Sequence, residues 1–216
     1  MNTLDKKTNI HLESKVLYRI YLPNEYDKNE DKMWPLILYL HGSGESGTDL
    51  NKLDRFGLTS YLEHAVNFPF ITLAPLCPEN KIWDINYKAT MALMELILKN
   101  YRVDPKRIYL TGISMGGCGA WHFGILNPDF FAAIVPVCGF AAIPRAVAVL
   151  KDKPIWTFHG KQDSSVPFEI TENLVKVLGG VSETVRFTKY EDKGHEVCTL
   201  AYHENSLYEW LLKQHL

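Results

Sequence analysis

The chain has 216 residues, and its 23 lysines and arginines against 25 aspartates and glutamates give a formal net charge of −2. This balance argues against nucleic-acid binding, because nucleic-acid-binding proteins usually carry a basic excess that displaces counterions. Hydrophobic residues make up 46% of the chain and charged residues 22%, which excludes a disordered protein and, with the length, predicts one globular domain over residues 1–216.

Short apolar segments typical of β-strands recur along the chain, at residues 15–22, 35–40, 69–74, 107–113, 132–137, 154–159 and 184–190. Between them, apolar residues that recur every three or four positions predict helices, at residues 58–66, 89–97, 170–178 and 207–211. Strands that alternate with helices indicate βαβ crossovers, and therefore a mostly parallel sheet covered by helices on both faces. The polar segment 24–32 predicts a hairpin or a loop between two early strands.

Targeting signals are absent from the sequence. The first fifteen residues contain no apolar run of signal-peptide length, and no apolar stretch approaches the roughly 18 residues of a membrane span. The four cysteines are Cys77, Cys118, Cys138 and Cys198. They are too few and too widely spaced for a disulfide framework, and no two of them form a Cys-x-x-Cys metal site. We therefore expect a cytoplasmic protein with free thiols, no metal and no membrane partner; a secreted mature form is the alternative.

The strongest functional motif is a G-x-S-x-G at residues 112–116, centred on Ser114. An apolar strand leads into it, and small residues follow at the start of a predicted helix. In such motifs the serine occupies a sharp strand-to-helix turn, and small neighbours let the helix approach the strand closely. The motif predicts Ser114 as a nucleophile, with a structural glycine-rich turn as the alternative.

A serine nucleophile requires a base and an acid that orients the base. Asp163 follows the predicted strand 154–159, and His195 follows the predicted strand 184–190 after a glycine. Because parallel strands end at the same edge of a sheet, Ser114, Asp163 and His195 are expected to converge there. Their order along the chain is the order found in α/β-hydrolases.

Other residues compete for these roles. His159 is interpreted as a packing residue at a strand end, and His122 lies inside the helix after the predicted nucleophile. His203 and His215 fall in the last helix, and Asp192 is interpreted as a loop residue. We expect His195 to be the base and Asp163 the orienting acid.

The segment after the strand 35–40 contains Gly42, Gly44 and Gly47, which satisfy a G-x-G-x-x-G dinucleotide pattern. That interpretation needs an acidic residue after the next strand, and Pro75-Leu-Cys-Pro stands there instead. We therefore expect no dinucleotide. The segment predicts instead an oxyanion hole formed by the backbone N–H groups of Ser43 and Met115.

Together, the His41-Gly42 loop, the G-x-S-x-G, Asp163 and Gly194-His195 resemble small α/β-hydrolases of the lidless carboxylesterase and feruloyl-esterase-like group. The chain is also similar to dienelactone hydrolases, from which it departs by having Ser114 where they use cysteine, and to relatives of prolyl oligopeptidase. The resemblance implies an eight-stranded sheet, of which seven strands are identified; the first would be absent or lie near residues 10–12. Residues 138–153 leave no room for a large lid.

The resulting hypothesis is a serine hydrolase that cleaves carboxylic esters through an acyl-enzyme on Ser114, with no cofactor and a small-molecule ester as its partner. Short-chain or hydroxycinnamoyl esters are expected, because Trp83, Phe140 and Phe168 follow strand ends where they could line the pocket. A serine peptidase and a non-catalytic binding protein of the same fold are the alternatives. The oligomeric state is left open.

Overall fold

The structure is a computed structural model and describes residues 1–10 and 14–216. Eight strands form one sheet in the order β1-β2-β4-β3-β5-β6-β7-β8. The six strands from β3 to β8 are parallel to one another, and β2 is antiparallel to both of its neighbours. The strands are β1 (Asn2–Ile10), β2 (Ser14–Leu22), β3 (Trp34–Leu40), β4 (Ile71–Pro75), β5 (Val103–Ile113), β6 (Ala133–Val137), β7 (Ile155–Gly160) and β8 (Val185–Tyr190).

The predicted α/β sheet is thus confirmed, with seven strands close to their expected bounds. The eighth is β1, which extends from Asn2 to Ile10, whereas the sequence left this strand either absent or near residues 10–12; His11 and Leu12 lie outside the described residues. β1 is an edge strand, and charged side chains on an edge strand discourage pairing with other chains. Its sequence is therefore polar and charged and lacks the apolar pattern that predicts a strand.

Helices cover both faces of the sheet. They are α1 (Gly57–Leu62), α2 (Trp83–Asn100), α3 (Met115–Leu126), α4 (Ile143–Leu150), α5 (Phe168–Gly179), α6 (Val197–Leu200) and α7 (Asn205–Leu212). Side chains of α2, α3, α4 and α5 pack in one hydrophobic core, and side chains of α1, α6 and α7 pack in another. Strand β3 shows why: Leu36, Leu38 and Leu40 enter the first core, while Ile37 and Tyr39 enter the second. Its unbroken apolar run reflects burial on both faces.

Two connections differ in detail from a simple sequence interpretation. Residues 24–32 form a loop rather than a hairpin, because β4 lies between β2 and β3 in the sheet. The connection from β6 to β7 contains α4, a single helix of eight residues, so no large lid is present there. Within the described part of the chain, no helix combines the length and apolar character needed to cross a membrane.

One buried charge joins the antiparallel strands to the rest of the domain. The side chain of Arg19 in β2 is 6% exposed, and its guanidinium pairs with the carboxylates of Asp5 in β1 and Asp54 in a short 3₁₀ helix before α1. A buried guanidinium is tolerated when carboxylates compensate its charge, and loss of one partner leaves the others unpaired. Arg19 therefore anchors the edge of the sheet.

Arg19→Ala is expected to lower the free energy of unfolding by about 3 kcal/mol, because it leaves Asp5 and Asp54 close together without a cation. Urea unfolding monitored by circular dichroism measures the change. Arg107→Ala is the matched control: its guanidinium pairs with Asp104 at a partly exposed site, and the expected loss is about 1 kcal/mol or less. Equal losses in the two variants would contradict the anchoring role.

Candidate active site

Ser114 occupies a strained turn between β5 and α3. Its backbone has φ 54° and ψ −118°, a conformation that costs a non-glycine residue free energy. The turn is held by two backbone hydrogen bonds: the Ser114 N–H donates to the Val137 carbonyl at 2.9 Å, and the Cys118 N–H donates to the Ser114 carbonyl at 3.0 Å. The serine side chain is thereby presented at the carboxyl edge of the sheet.

The glycines of the motif are required by close backbone contacts. A Cβ atom on Gly116 would lie 1.9 Å from the Leu40 carbonyl oxygen, and a Cβ atom on Gly112 would lie 2.2 Å from the Gly116 carbonyl oxygen. No heavy atom fits at these distances, so the start of α3 can approach β3 and β5 this closely only with glycine at both positions. The steric explanation suggested by the sequence accounts for this geometry.

Asp163 and His195 meet beside this turn. His195 Nδ1 lies 2.7 Å from Asp163 Oδ2, and Asp163 Oδ1 accepts hydrogen bonds from the Ser165 and Val166 N–H groups, each at 2.9 Å. Burial raises the pKa of Asp163. The hydrogen bonds from the Val166 and Ser165 N–H groups and the contact with His195 outweigh burial, so this pKa lies below its ordinary value. The carboxylate is therefore ionised and fixed against the imidazole.

His195 and Ser114 line one cavity of about 300 Å³, together with Ser43. Contact with Cys198 and the charge of Asp163 raise the pKa of His195. Among the hydrogen bonds of residues 1–10 and 14–216, none joins Ser114 Oγ to His195, whose Nε2 lies 3.7 Å from Cys198 Sγ. Hydrogen bonds between a nucleophile and its base are often long in unliganded sites and shorten when substrate binds.

The competing histidines occupy other environments. His159 is fully buried, with Nδ1 3.0 Å from Thr171 Oγ1 and Nε2 3.0 Å from the Val166 carbonyl oxygen, and burial lowers its pKa. His122 lies 3.6 Å from Asp84, and the ring of His203 packs edge-on against Tyr61. Of the histidines weighed above, the structure brings His195 to the cavity of Ser114.

The two residues predicted to form the oxyanion hole each begin a helix. Ser43 is the first residue of a 3₁₀ helix, Ser43–Glu45, and Met115 is the first residue of α3. The N–H groups at such positions have no acceptor within their own helix and are free to bind an oxyanion. Ser43 lines the cavity of Ser114, and Met115 follows Ser114 directly.

The three aromatic residues predicted for the pocket occupy different environments. Phe140 is 42% exposed and lines a second cavity of about 470 Å³, which Met115 also lines. Trp83 borders that cavity but is 1% exposed, and its indole N–H donates to the His41 carbonyl at 2.9 Å. Phe168 is 5% exposed and packs between the rings of His159 and Phe187. Of the three, Phe140 is the most exposed to solvent.

Comparisons with known proteins agree with this architecture. A family model described as phospholipase/carboxylesterase matches residues 68–208, more than half of the chain. The chain is 28% identical over 162 residues to a bifunctional acetylxylan esterase/xylanase of Neocallimastix patriciarum, a match that covers 73% of this chain and 23% of that protein. This chain thus spans about a quarter of the length of that relative.

Solved structures share the whole fold. A thermostable esterase matches with a TM-score of 0.88 and 31% identity, over 99% of this chain and 63% of its own. A ferulic acid esterase matches with a TM-score of 0.75 and 19% identity, over 97% of this chain and 96% of its own. These matches and the sheet topology confirm the α/β-hydrolase fold that the sequence predicted.

Sequence reasoning did not single out Glu45, which lines the cavity beside Ser114 and is 2% exposed. Its nearest basic group is His41, whose Nδ1 is 3.8 Å from Glu45 Oε2. His41 is itself buried, donates from Nδ1 to the Gly42 carbonyl, and has its pKa lowered to about 4 by burial. Burial raises the pKa of Glu45 to about 7, because it outweighs the backbone hydrogen bonds and the charge of Arg55, which act in the opposite direction. No short-range sequence pattern marks such a carboxyl.

Glu45→Gln is expected to increase the free energy of unfolding in a pH-dependent way. The pKa of Glu45 rises from 4.5 to about 7 on folding, so ionisation destabilises the folded state progressively between these two pH values. Glutamine removes that penalty, and the gain over wild type should grow from near zero at pH 4.5 to at most about 3 kcal/mol above pH 7. Urea unfolding across this range measures it, with the exposed Glu95→Gln as control. A gain independent of pH would contradict the assignment.

Proposed function

This chain belongs to the phospholipase/carboxylesterase family, and on that premise we propose that it hydrolyses carboxylic esters through an acyl-enzyme formed on Ser114. The observation that carries the proposal is the placement of an ionised carboxylate, Asp163, 2.7 Å from Nδ1 of a histidine that lines the same cavity as a serine on a strained turn. This is the set of groups that serine acyl transfer requires.

In the first step, Ser114 Oγ attacks the ester carbonyl while His195 Nε2 accepts the hydroxyl proton. Asp163 accepts a hydrogen bond from Nδ1–H, which leaves the lone pair of Nε2 free and stabilises the imidazolium that forms. The bond to the alcohol then breaks, and the alkoxide leaves with the proton from Nε2.

The negative charge on the carbonyl oxygen in this step is assigned to the N–H groups of Ser43 and Met115. Both groups belong to backbone that the close packing of β3 and α3 holds in place, so they need no reorganisation during the reaction. Removal of one such donor in other enzymes costs about 2.7–4 kcal/mol of transition-state stabilisation.

In the second step, water attacks the acyl group on Ser114. His195 takes a proton from the water and returns it to Ser114 Oγ as the carboxylic acid leaves, which restores the starting state. The short connection between β6 and β7, with α4 as its one helix, supports a cleft that is open to water. We therefore expect no activation by a lipid interface.

The substrate class that we propose is an ester with a short or aryl acyl group. The cavity of Ser114 is small, about 300 Å³, and the second cavity, beside Met115, offers the exposed ring of Phe140. Trp83 and Phe168 are buried, so their exposure does not support them as substrate contacts, and this role stays a prediction. The acetylxylan esterase/xylanase relative supports a short acyl group, and hydroxycinnamoyl esters remain the aryl candidates.

We also propose that residues 1–216 act as one catalytic domain, because all eight strands form one sheet. A cytoplasmic location stays a prediction, supported by the free thiols of all four cysteines.

Ser114→Ala is expected to lower kcat for p-nitrophenyl acetate by about 10⁴–10⁶-fold without loss of fold, because it removes the nucleophile alone. Wild-type protein should react with a fluorophosphonate probe and the variant should not, as mass spectrometry of the labelled chain would show. Ser206→Ala, an exposed serine of α7, is the control and should retain rate and labelling. Full turnover by Ser114→Ala would exclude this mechanism.

A panel of esters and amides tests the substrate class. We expect kcat/KM to be highest for p-nitrophenyl esters of short acids or for methyl hydroxycinnamates, and to fall as the acyl chain exceeds the length that the small cavity accommodates. Matched p-nitroanilides should react at least about 100-fold more slowly, because the amine is a poorer leaving group. Comparable rates on amides would favour a peptidase, and preference for emulsified long-chain esters would refute the open-cleft interpretation.

A further inference from the structure

Two cysteines that the proposed mechanism does not use lie beside the imidazole of His195. Cys138 follows β6, Cys198 belongs to α6, and one ligand atom from each of Cys138, Cys198 and His195 lies within 4.8 Å of the other two. Cys198 Sγ is 3.7 Å from His195 Nε2. Both thiols are free. Two sulfur atoms and one imidazole nitrogen form a donor set that suits thiophilic cations, above all Zn²⁺.

The distances fit a tetrahedral metal ion with little rearrangement. Zn–S bonds of about 2.3 Å and Zn–N bonds of about 2.0–2.1 Å place neighbouring ligand atoms about 3.4–3.8 Å apart. The separation of Cys198 Sγ and His195 Nε2, 3.7 Å, already lies in that range. The remaining separations are below 4.8 Å, so each of them needs to shorten by about 1.4 Å at most.

The surroundings also suit a metal. Asp163 holds Nδ1 of His195 at 2.7 Å, which orients the ring and directs the lone pair of Nε2 towards Cys198. A carboxylate behind a ligating histidine is the usual outer partner of zinc-bound imidazole. Cys198 and His195 both line the cavity of Ser114, so an ion can reach these two ligands from solvent, whereas Cys138 is buried.

A second trio shares Cys138 but is less suitable. Cys138, His159 and Asp163 also lie within 4.8 Å of one another. Both nitrogens of His159 already have oxygen partners, Thr171 Oγ1 and the Val166 carbonyl, at 3.0 Å. All three of these residues are buried, and none of them lines the cavity of Ser114, whereas His195 and Cys198 of the first trio do. The trio that includes His195 is therefore the one with available donors.

We propose that Cys138, Cys198 and His195 form an inhibitory site for a thiophilic divalent cation such as Zn²⁺. The ion takes the lone pair of His195 Nε2, the same lone pair that accepts the proton of Ser114 in the proposed reaction. Binding therefore switches off acyl transfer, and removal of the ion restores it. This conclusion departs from the sequence-based expectation of no metal, because Cys138 lies far from the other two ligands along the chain.

Direct binding tests the site independently of esterase activity. Protein freed of metal with a chelator, in the Ser114→Ala background, is titrated with Zn²⁺ by calorimetry and with Cd²⁺ by the ultraviolet absorption of the thiolate–cadmium bond. We expect one ion per chain and thiolate–cadmium absorption. Cys198→Ser should weaken binding by at least about 100-fold, more than loss of an outer-shell partner costs. Cys77→Ser, a buried cysteine elsewhere, is the matched control and should bind as the parent does.

Two further measurements keep the test decisive if Cys198→Ser does not fold. In protein with Ser114 intact, Zn²⁺ should protect Cys198 from alkylation by a maleimide while Cys118 stays as reactive as before, as peptide mass spectrometry would show. Zn²⁺ should also abolish hydrolysis of a soluble ester, with recovery after chelation and no effect of Mg²⁺. Unprotected Cys198, binding without thiolate–cadmium absorption, or full activity of the Zn²⁺-loaded protein would each overturn the proposal.

Discussion

The contact between the start of α3 and the end of β3 is the constraint on which the candidate site depends. The backbone of Gly116 passes so close to the Leu40 carbonyl that no side chain fits between them. The chain can therefore leave β5 and enter α3 only through a tight turn, and Ser114 takes the strained backbone that this turn demands. Ser43 follows Leu40 by three residues. The same contact therefore brings both proposed oxyanion donors, the N–H groups of Ser43 and Met115, close to Ser114.

Buried histidines then fix the loops that complete the site. His41 accepts a hydrogen bond from the Cys77 N–H at Nε2 and lies against the Gly42 carbonyl with Nδ1, so the loops after β3 and β4 are joined. His159 joins the loop after β7 to α5 through Val166 and Thr171. Polar groups that are buried and satisfied in this way rigidify the loops that they join. A site assembled from four separate loops can therefore keep one geometry.

The sequence predicted those parts of the molecule that follow from local pattern. The alternation of apolar strands and helices indicated the sheet, and the G-x-S-x-G indicated the turn at Ser114. Strand β1 was not predicted over its full length, because pairing with β2 stabilises it and its own composition is not typical of a strand. The sequence did not indicate a role for Glu45 or Cys198 for a different reason. Their properties depend on neighbours that only the folded chain brings close: His41 for Glu45, and Cys138 and His195 for Cys198.

The environment of His195 suits both of the roles that we propose for it. A general base and a metal ligand both use the lone pair of one ring nitrogen while the other nitrogen is held in place, and Asp163 holds Nδ1 of His195. The role of the other nitrogen, Nε2, then depends on which group contacts it. Ser114 and Cys198 both line the cavity of His195, and Cys138 contributes a further ligand atom within 4.8 Å of those of Cys198 and His195. Because one lone pair cannot serve both partners at once, the proposed catalysis and the proposed metal binding at this residue exclude each other.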